Sequence, residues 1–136
     1  QMNAATKSRK ENASVDNLSE ATAIITNPTH FAVALKYEVG DSKAPVVIAK
    51  GRGKNAEKII KKGKKLNIGN MQSPKLARAI YYTCEIGEEI LSTLYNAVAI
   101  ALAYIYKLDK GEKIDKPEIE IPDDLIFDEF GNKNAE

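Results

Sequence analysis

The tetrapeptide Asn27-Pro28-Thr29-His30 is the part of this chain whose residue types and order can do chemistry. In ordinary deamidation the backbone nitrogen of the next residue attacks the asparagine side chain. Pro28 has no N–H, so that route is closed at Asn27. The intramolecular route left open runs the other way. Nδ2 of Asn27 attacks its own backbone carbonyl carbon, a five-membered succinimide closes, and the Pro28 nitrogen leaves. The main chain is then cut between Asn27 and Pro28. The same four residues also spell an ordinary turn, because Asn-Pro starts turns often, and by themselves they leave both readings open. They are no glycosylation acceptor, since the middle residue is proline.

Holding the attacking nitrogen against the carbonyl removes an entropic cost that can reach several kcal/mol. A turn with Asn27 first and Pro28 second supplies that placement, with φ of the proline fixed near −65°. Backbone N–H groups of Thr29 or His30 could hydrogen-bond the Asn27 carbonyl and stabilise the developing oxyanion. His30 is the only histidine in the chain, and histidine is the side chain that titrates near neutrality. It can take a proton from the amide or give one to the departing nitrogen, or it can simply order the turn. Thr29 reads as a turn former rather than a nucleophile. The cut consumes its own backbone, so it happens once per molecule, and the chain is not an enzyme in the turnover sense.

The flanking segments must clamp this turn. Residues 23–27 read as a short strand. Residues 31–37 alternate, with Phe31, Val33, Leu35 and Tyr37 on one face and the small Ala32 and Ala34 on the other. Residues 44–49 are a continuous apolar run and read as a strand buried on both faces, with Pro45 tolerable only at its start. Residues 54–66 predict a helix whose apolar side is Ala56, Ile59, Ile60, Gly63 and Leu66, with lysines elsewhere. A short extended piece spans 67–72. Ser73-Pro74 then starts a helix lined by Leu76, Ala77, Ile80, Tyr81 and Cys84. Residues 85–89 read as a break or turn. The last helix runs from about 92 to 107, with Leu94, Tyr95, Val98, Ala99, Leu102, Ile105 and Tyr106 on its apolar face. The expected fold is α/β: a small central sheet of about four strands, helices packed around it, and a helical linker in front.

Composition narrows the function classes. At 136 residues, 43% hydrophobic and 29% charged, the chain suits one domain with a real core. No stretch approaches the roughly 18 continuous apolar residues of a membrane-spanning helix. Cys84 is the only cysteine, so no internal disulfide forms, and on an apolar helix face it reads as a small buried hydrophobe. Without a Cys/His cluster no metal site of the usual ligand set is expected, and nothing asks for a cofactor. The net charge of +1 hides an uneven distribution: residues 50–78 carry ten Lys/Arg against Glu57 alone, and residues 109–136 carry ten Asp/Glu against four lysines. The basic block admits a nucleic-acid-binding reading, but its lysines lack interleaved aromatics. A plain scaffold whose Asn-Pro turn never reacts is the other alternative. The acidic segment contains Pro117 and Pro122, loses periodicity, and reads as largely disordered.

Taken in order, the blocks have a known counterpart. Asn27-Pro28-Thr29-His30 leads into Phe31–Leu35. Ala44-Pro45 opens the apolar run ending at Lys50-Gly51, and a basic helix follows. Leu76-Ala77-Arg78-Ala79-Ile80-Tyr81, the segment Glu85–Glu89, and Leu94-Tyr95 complete the series. Over about residues 22–108 the chain resembles the cytoplasmic domain of the FlhB/YscU family, the switch proteins of flagellar and virulence type III secretion export gates. The resemblance implies self-cleavage between Asn27 and Pro28, with both fragments staying folded together. It implies an upstream transmembrane domain, and so a location on the cytoplasmic side of the bacterial inner membrane. Residues 1–22 would be the charged linker after that membrane domain, 23–108 the autocleaving domain, and 109–136 the acidic tail. The implied role is to change which substrates the gate accepts, from rod and hook proteins to filament proteins in the flagellar branch. The implied partners are membrane and cytoplasmic export-gate components, a hook- or needle-length ruler protein and the exported subunits, with no nucleic acid. For docking of those subunits the candidate residues are Ala44, Pro45, Ala99 and Leu102, small apolar side chains at an exposed edge; ordinary core packing is the competing reading, above all for Leu102. The stretch 67–72 and the acidic tail depart from the family pattern, which makes the flagellar assignment weaker than the family one.

Overall fold

The computed structural model describes residues 16–28, 30–38 and 43–133. Most of the expected linker therefore lies outside the described residues, as do Thr29 and Gly40-Asp41-Ser42, whose residue types predict a turn. The elements are β1 (Ala23–Asn27), β2 (Phe31–Lys36), β3 (Val46–Arg52), α1 (Lys54–Lys65), β4 (Gly69–Gln72), α2 (Pro74–Thr83) and α3 (Tyr95–Asp109). Short 3-10 turns occur at Leu18–Glu20, Ser92–Leu94 and Asp123–Leu125. The strands form one mixed sheet in the order β3-β2-β1-β4. β1 and β2 pair antiparallel, as do β2 and β3, while β1 and β4 are parallel. The expected four-strand α/β architecture is borne out.

The alternation read from the sequence explains the layering. Successive strand residues point to opposite faces, so Ala23, Ile25, Phe31, Val33 and Leu35 meet α2 and α3 in the larger core. Ile24, Ala32 and Ala34 face the other way, toward Leu18 and the Ala56 and Ile59 of α1. The alanines let α1 lie close to the sheet. Gly63 brings it closer still, because a Cβ there would overlap Ile24 Cδ1. The lysines of α1 are left facing outward.

α1 ends in a Schellman cap. Asn67 takes a positive φ of 58°, its N–H bonds to the Lys64 carbonyl at 3.1 Å, and the Ile68 N–H bonds to the Gly63 carbonyl at 2.9 Å. Asparagine tolerates this left-handed conformation better than most residues. Lys62, Lys64 and Lys65 in the last turn complement the negative end of the helix.

Three expectations need correction. The run at 44–49 is not strand over its whole length: β3 begins at Val46 and is the outermost strand in the sheet order, although both of its faces do meet a core. A bulge divides its apolar residues between those faces. Ala34 pairs with Ala49 and Leu35 with Val47, so Ile48 is the extra residue and Val47 and Ala49 reach opposite cores. The segment 85–90 covers the outer edge of β3. Gly87 N–H donates to the Val47 carbonyl, Val47 N–H to Glu88, and Ile90 N–H to Pro45.

The second correction concerns α3. Its buried residues are Ala97, Val98, Ala101 and Ile105, whereas Tyr95, Ala99 and Tyr106 are exposed and Leu102 is half-buried. The third concerns the acidic tail, which does not run free. Ile121, Leu125 and Phe127 join the larger core, and Phe127 pairs with Lys133 in an isolated bridge. The docked residues are scattered among acids in a segment that forms no helix or regular strand. Local periodicity therefore carries no signal, and only the sheet-side partners supply the burial.

Candidate functional site

β1 ends at Asn27 and β2 begins at Phe31, and these two residues face each other in the register. The four residues from Asn27 to His30 therefore close a tight hairpin. The His30 N–H donates to the Asn27 carbonyl at 2.9 Å, the one-to-four bond of a β-turn. That carbonyl is the one the Asn27 side chain must attack. Among the described residues no hydrogen bond commits the Asn27 amide, and its side chain is only half-buried. Pro28 is exposed, so a departing nitrogen meets solvent.

Both shoulders of the turn are anchored through backbone groups. Upstream, the Thr26 carbonyl accepts the Ser73 N–H at 2.8 Å, which ties the end of β1 to the start of α2. Downstream, the His30 carbonyl accepts the Gly53 N–H at 3.0 Å, which ties the start of β2 to the end of β3. The arrangement supplies placement of the turn and one donor for a developing oxyanion. The His30 side chain is exposed, and its Nδ1 lies 4.0 Å from Glu129 Oε2.

Glu129, Tyr82, Arg52 and Arg78 are neighbours that the sequence reading missed. Tyr82 Oη donates to the Glu129 carbonyl at 2.6 Å and Arg52 Nη2 donates to the same oxygen at 3.2 Å. Arg78 Nε donates to the Phe127 carbonyl at 2.6 Å. Tyr82 also packs edge-on against Phe31 and tilted against Phe127. Burial among these groups pushes the Tyr82 phenol up; Arg52 opposes this, Asp128 adds to it, and Arg78 opposes it. The available signal in the sequence was a pair of aromatic residues, Phe127 and Phe130, inside a largely acidic segment.

Ala44, Pro45, Ala99 and Leu102 do come together. They line one groove of about 860 Å³, along with Ala23 and Tyr95. Pro45 is buried, Ala44 and Leu102 are half-buried and Ala99 is exposed. The groove can receive an apolar segment, with Lys43, Glu89 and Asp109 as charged residues in its wall. It lies at the Ala23 end of β1 and the turn at the Asn27 end, about 13 Å apart by strand rise. Tyr81 and Tyr82 belong to the α2 side of the sheet, opposite the lysines of α1. Among the described residues, the core on the α1 side holds no aromatic side chain. Among the described residues no group of three or more His, Cys, Asp or Glu could hold a metal ion, and no helix is long and apolar enough to cross a membrane.

The model of the FlhB HrpN YscU SpaS family matches residues 1–105 of the chain. The flagellar biosynthetic protein FlhB of Aquifex aeolicus (strain VF5) is 49% identical over 86 residues, covering 63% of this chain and 25% of that protein. FlhB of Buchnera aphidicola subsp. Schizaphis graminum is 44% identical over 117 residues, covering 82% of this chain and 31% of that protein. The chain thus spans between a quarter and a third of these relatives. Among solved structures, the cytoplasmic domain of FlhB from Shewanella putrefaciens superposes with a TM-score of 0.72 at 41% identity, covering 83% of this chain and 91% of that one. A mutated EscU C-terminal domain gives 0.65 at 30% identity, covering 72% and 98%. EscU domains in that set carry an asparagine-to-alanine change and, at the next position, a proline-to-alanine change.

Proposed function

The chain belongs to the FlhB, HrpN, YscU and SpaS family, and from that premise we propose that it is the self-cleaving cytoplasmic part of a flagellar or type III protein-export gate. The observation that carries the reading is the turn itself. A carbonyl already accepting the His30 N–H at 2.9 Å sits beside an amide on the same residue that has no hydrogen-bond partner among the described residues, ahead of a proline that blocks the competing reaction. The relatives named FlhB and the EscU domains altered at an Asn and the following Pro support placing the chemistry here.

In the proposed step the Asn27 Nδ2–carbonyl carbon bond forms, the bond to the Pro28 nitrogen breaks, and one amide proton passes to that nitrogen. His30 or water carries the proton. Water later opens the succinimide. The reaction occurs once per molecule, without turnover. The nine backbone partners paired across β1 and β2, and β1 and β4, do not include the broken bond, so both fragments remain in one fold. The products gain charge: Pro28 becomes a secondary amine, largely protonated near pH 7 if it behaves like other α-amino groups. This local charge and freedom are the proposed switch of export specificity from rod and hook to filament subunits. The gate components, the length ruler and the exported subunits are the partners, and the inner-membrane face is the location. The groove at Ala44, Pro45, Ala99 and Leu102 is the proposed docking place for an exported segment.

Mass spectrometry tests the chemistry directly. Fragments 1–27 and 28–136 should appear under denaturing conditions and travel as one species in native buffer. Freshly formed fragments should sum to the mass of the intact chain, because cyclisation adds no water. Fragments that always sum to one water more, with no isoasparagine at Asn27, would show plain hydrolysis instead. A chain that stays whole after prolonged incubation would end the proposal.

A further inference from the structure

The acidic tail reaches the turn, and its contacts are of two kinds. The first hold it down. Leu125 and Phe127 are buried in the α2 side of the core. The Phe127 and Glu129 carbonyls accept donors from Arg78, Tyr82 and Arg52. Within the tail, Asp128 Oδ1 accepts the backbone N–H groups of Phe130 and Asn132 at 2.9 and 2.8 Å, and the Gly131 N–H bonds to the Asp128 carbonyl at 3.1 Å. These bonds fold residues 127–133 into a compact loop. Gly131, with φ of 86°, lies so close to the Tyr82 ring that a Cβ would overlap it. The second kind is directional. With its carbonyl pinned by two donors, Glu129 points its carboxylate toward His30.

We infer that residues 121–133 are an intramolecular brace on the downstream side of the cut, and that Glu129 is a positioning residue for His30. The inference rests on the cleavage reading for its purpose, but the contact itself does not. An exposed pair at 4.0 Å does not anchor a tail; Phe127, Leu125 and the three side-chain-to-carbonyl bonds do that. The pair instead restricts the rotamers of an imidazole that otherwise faces solvent. Arg52 serves both sides. It holds the Glu129 carbonyl and lies over the Phe31 ring at 5.4 Å, and the neighbouring Gly53 N–H grips the His30 carbonyl. The first residues of β2 thus sit between the end of β3 and the tail. Both lie on the 28–136 side of the cut, so the brace persists after cleavage.

His30 is the only histidine, so its ring signals in an NMR spectrum report this contact without ambiguity. The test compares the parent chain with E129Q, E129D and a chain ending at residue 125, following the His30 signals and the rate of fragment appearance. E129Q keeps the backbone bonds and removes the charge. Its His30 signals should move while those of Ile25 and Val33 stay, and cleavage should slow about two- to fivefold, the span an exposed pair allows. E129D should recover part of that rate, and the truncated chain should be slower than E129Q. His30 signals coincident in parent and E129Q, with equal cleavage rates, would overturn the inference even if the truncation fails to fold. Moved His30 signals in a parent chain that never cuts would uphold the contact and sink the cleavage reading instead.

Discussion

The two ends of the β1–β2 hairpin are built from different materials. At the Asn27 end the geometry is made by main chain: the His30 N–H on the Asn27 carbonyl, the Ser73 N–H on Thr26 and the Gly53 N–H on His30. At the Ala23 end it is made by apolar side chains from β1, the segment just before β3, and α3, converging on a groove. A backbone turn fixes positions to the tolerance a bond-forming step needs. An apolar groove accepts any segment of roughly the right shape, because burial is non-directional. On the proposed function, one hairpin would offer a place for a single defined reaction and a place for varied occupants, and the two should be open to independent alteration.

The largest expected effect separates them. Asn27→Ala removes the nucleophile and leaves every backbone bond at the turn in place. Fragments should be absent at all times, while the melting temperature and the binding of an apolar dye at the groove stay as in the parent. Loss of dye binding in the uncut chain would show that the ends are not independent. Next comes a change midway along the hairpin. Gly63→Ala on α1 forces its Cβ against Ile24, one residue from the groove end of β1. Overpacking of this kind costs about 1–3 kcal/mol, readable as a lower denaturation midpoint. Displacement of β1 should disturb both ends together; a change at only one end would locate the flexible part of the strand. Smaller again is Ala99→Asp, a charge set on the exposed rim of the groove. Dye affinity should fall about tenfold, near 1.4 kcal/mol for a partly exposed polar intrusion, with the cleavage rate unchanged.

The same contrast explains what could be read in the chain beforehand. The turn is local: four consecutive residues between two apolar runs state its geometry, and they narrow its proposed chemistry to one route without deciding whether it runs. The faces of β1 and β2 were legible too, because alternation of Phe31, Val33 and Leu35 with Ala32 and Ala34 is a property of one strand. Ala44, Pro45, Ala99 and Leu102 could be picked out as small apolar side chains at exposed positions, but not shown to be neighbours, since Ala99 lies 54 positions after Pro45 and no periodicity links them. β3 was placed two residues too early, because Ala44 and Pro45 are as apolar as the strand they precede, and the bulge at Ile48 that sends Val47 and Ala49 to opposite faces leaves no mark in the sequence. The tail was misread because its order comes from Tyr82, Arg78 and Arg52, far away in sequence. A segment whose apolar residues are held only by distant partners looks like a solvated one until those partners are in place.

The smallest expected effect is an acid transition confined to the tail. Backbone hydrogen bonds, from Asn132 first and then from Phe130 and Gly131, hold the Asp128 carboxyl below its usual range. A folded-state value below the unfolded one means the carboxylate favours the ordered loop at pH above the ordinary aspartate value, about 3.9. That contribution fades as pH falls through the lower folded value. Asp128 is fully exposed, so the change should be slight: faster amide exchange at Phe130 and Asn132 below about pH 4, with β1 and β2 protected throughout. Asp128→Asn should remove the acid step while leaving those amides partly protected by the neutral oxygen. The bond from the His30 N–H to the Asn27 carbonyl joins two groups that do not titrate, so it should hold across the same range. If exchange at His30 rises together with that at Phe130, the brace contributes to the turn's own order. If His30 stays protected while the tail loosens, the backbone alone keeps the turn, and the tail acts only on the imidazole side chain.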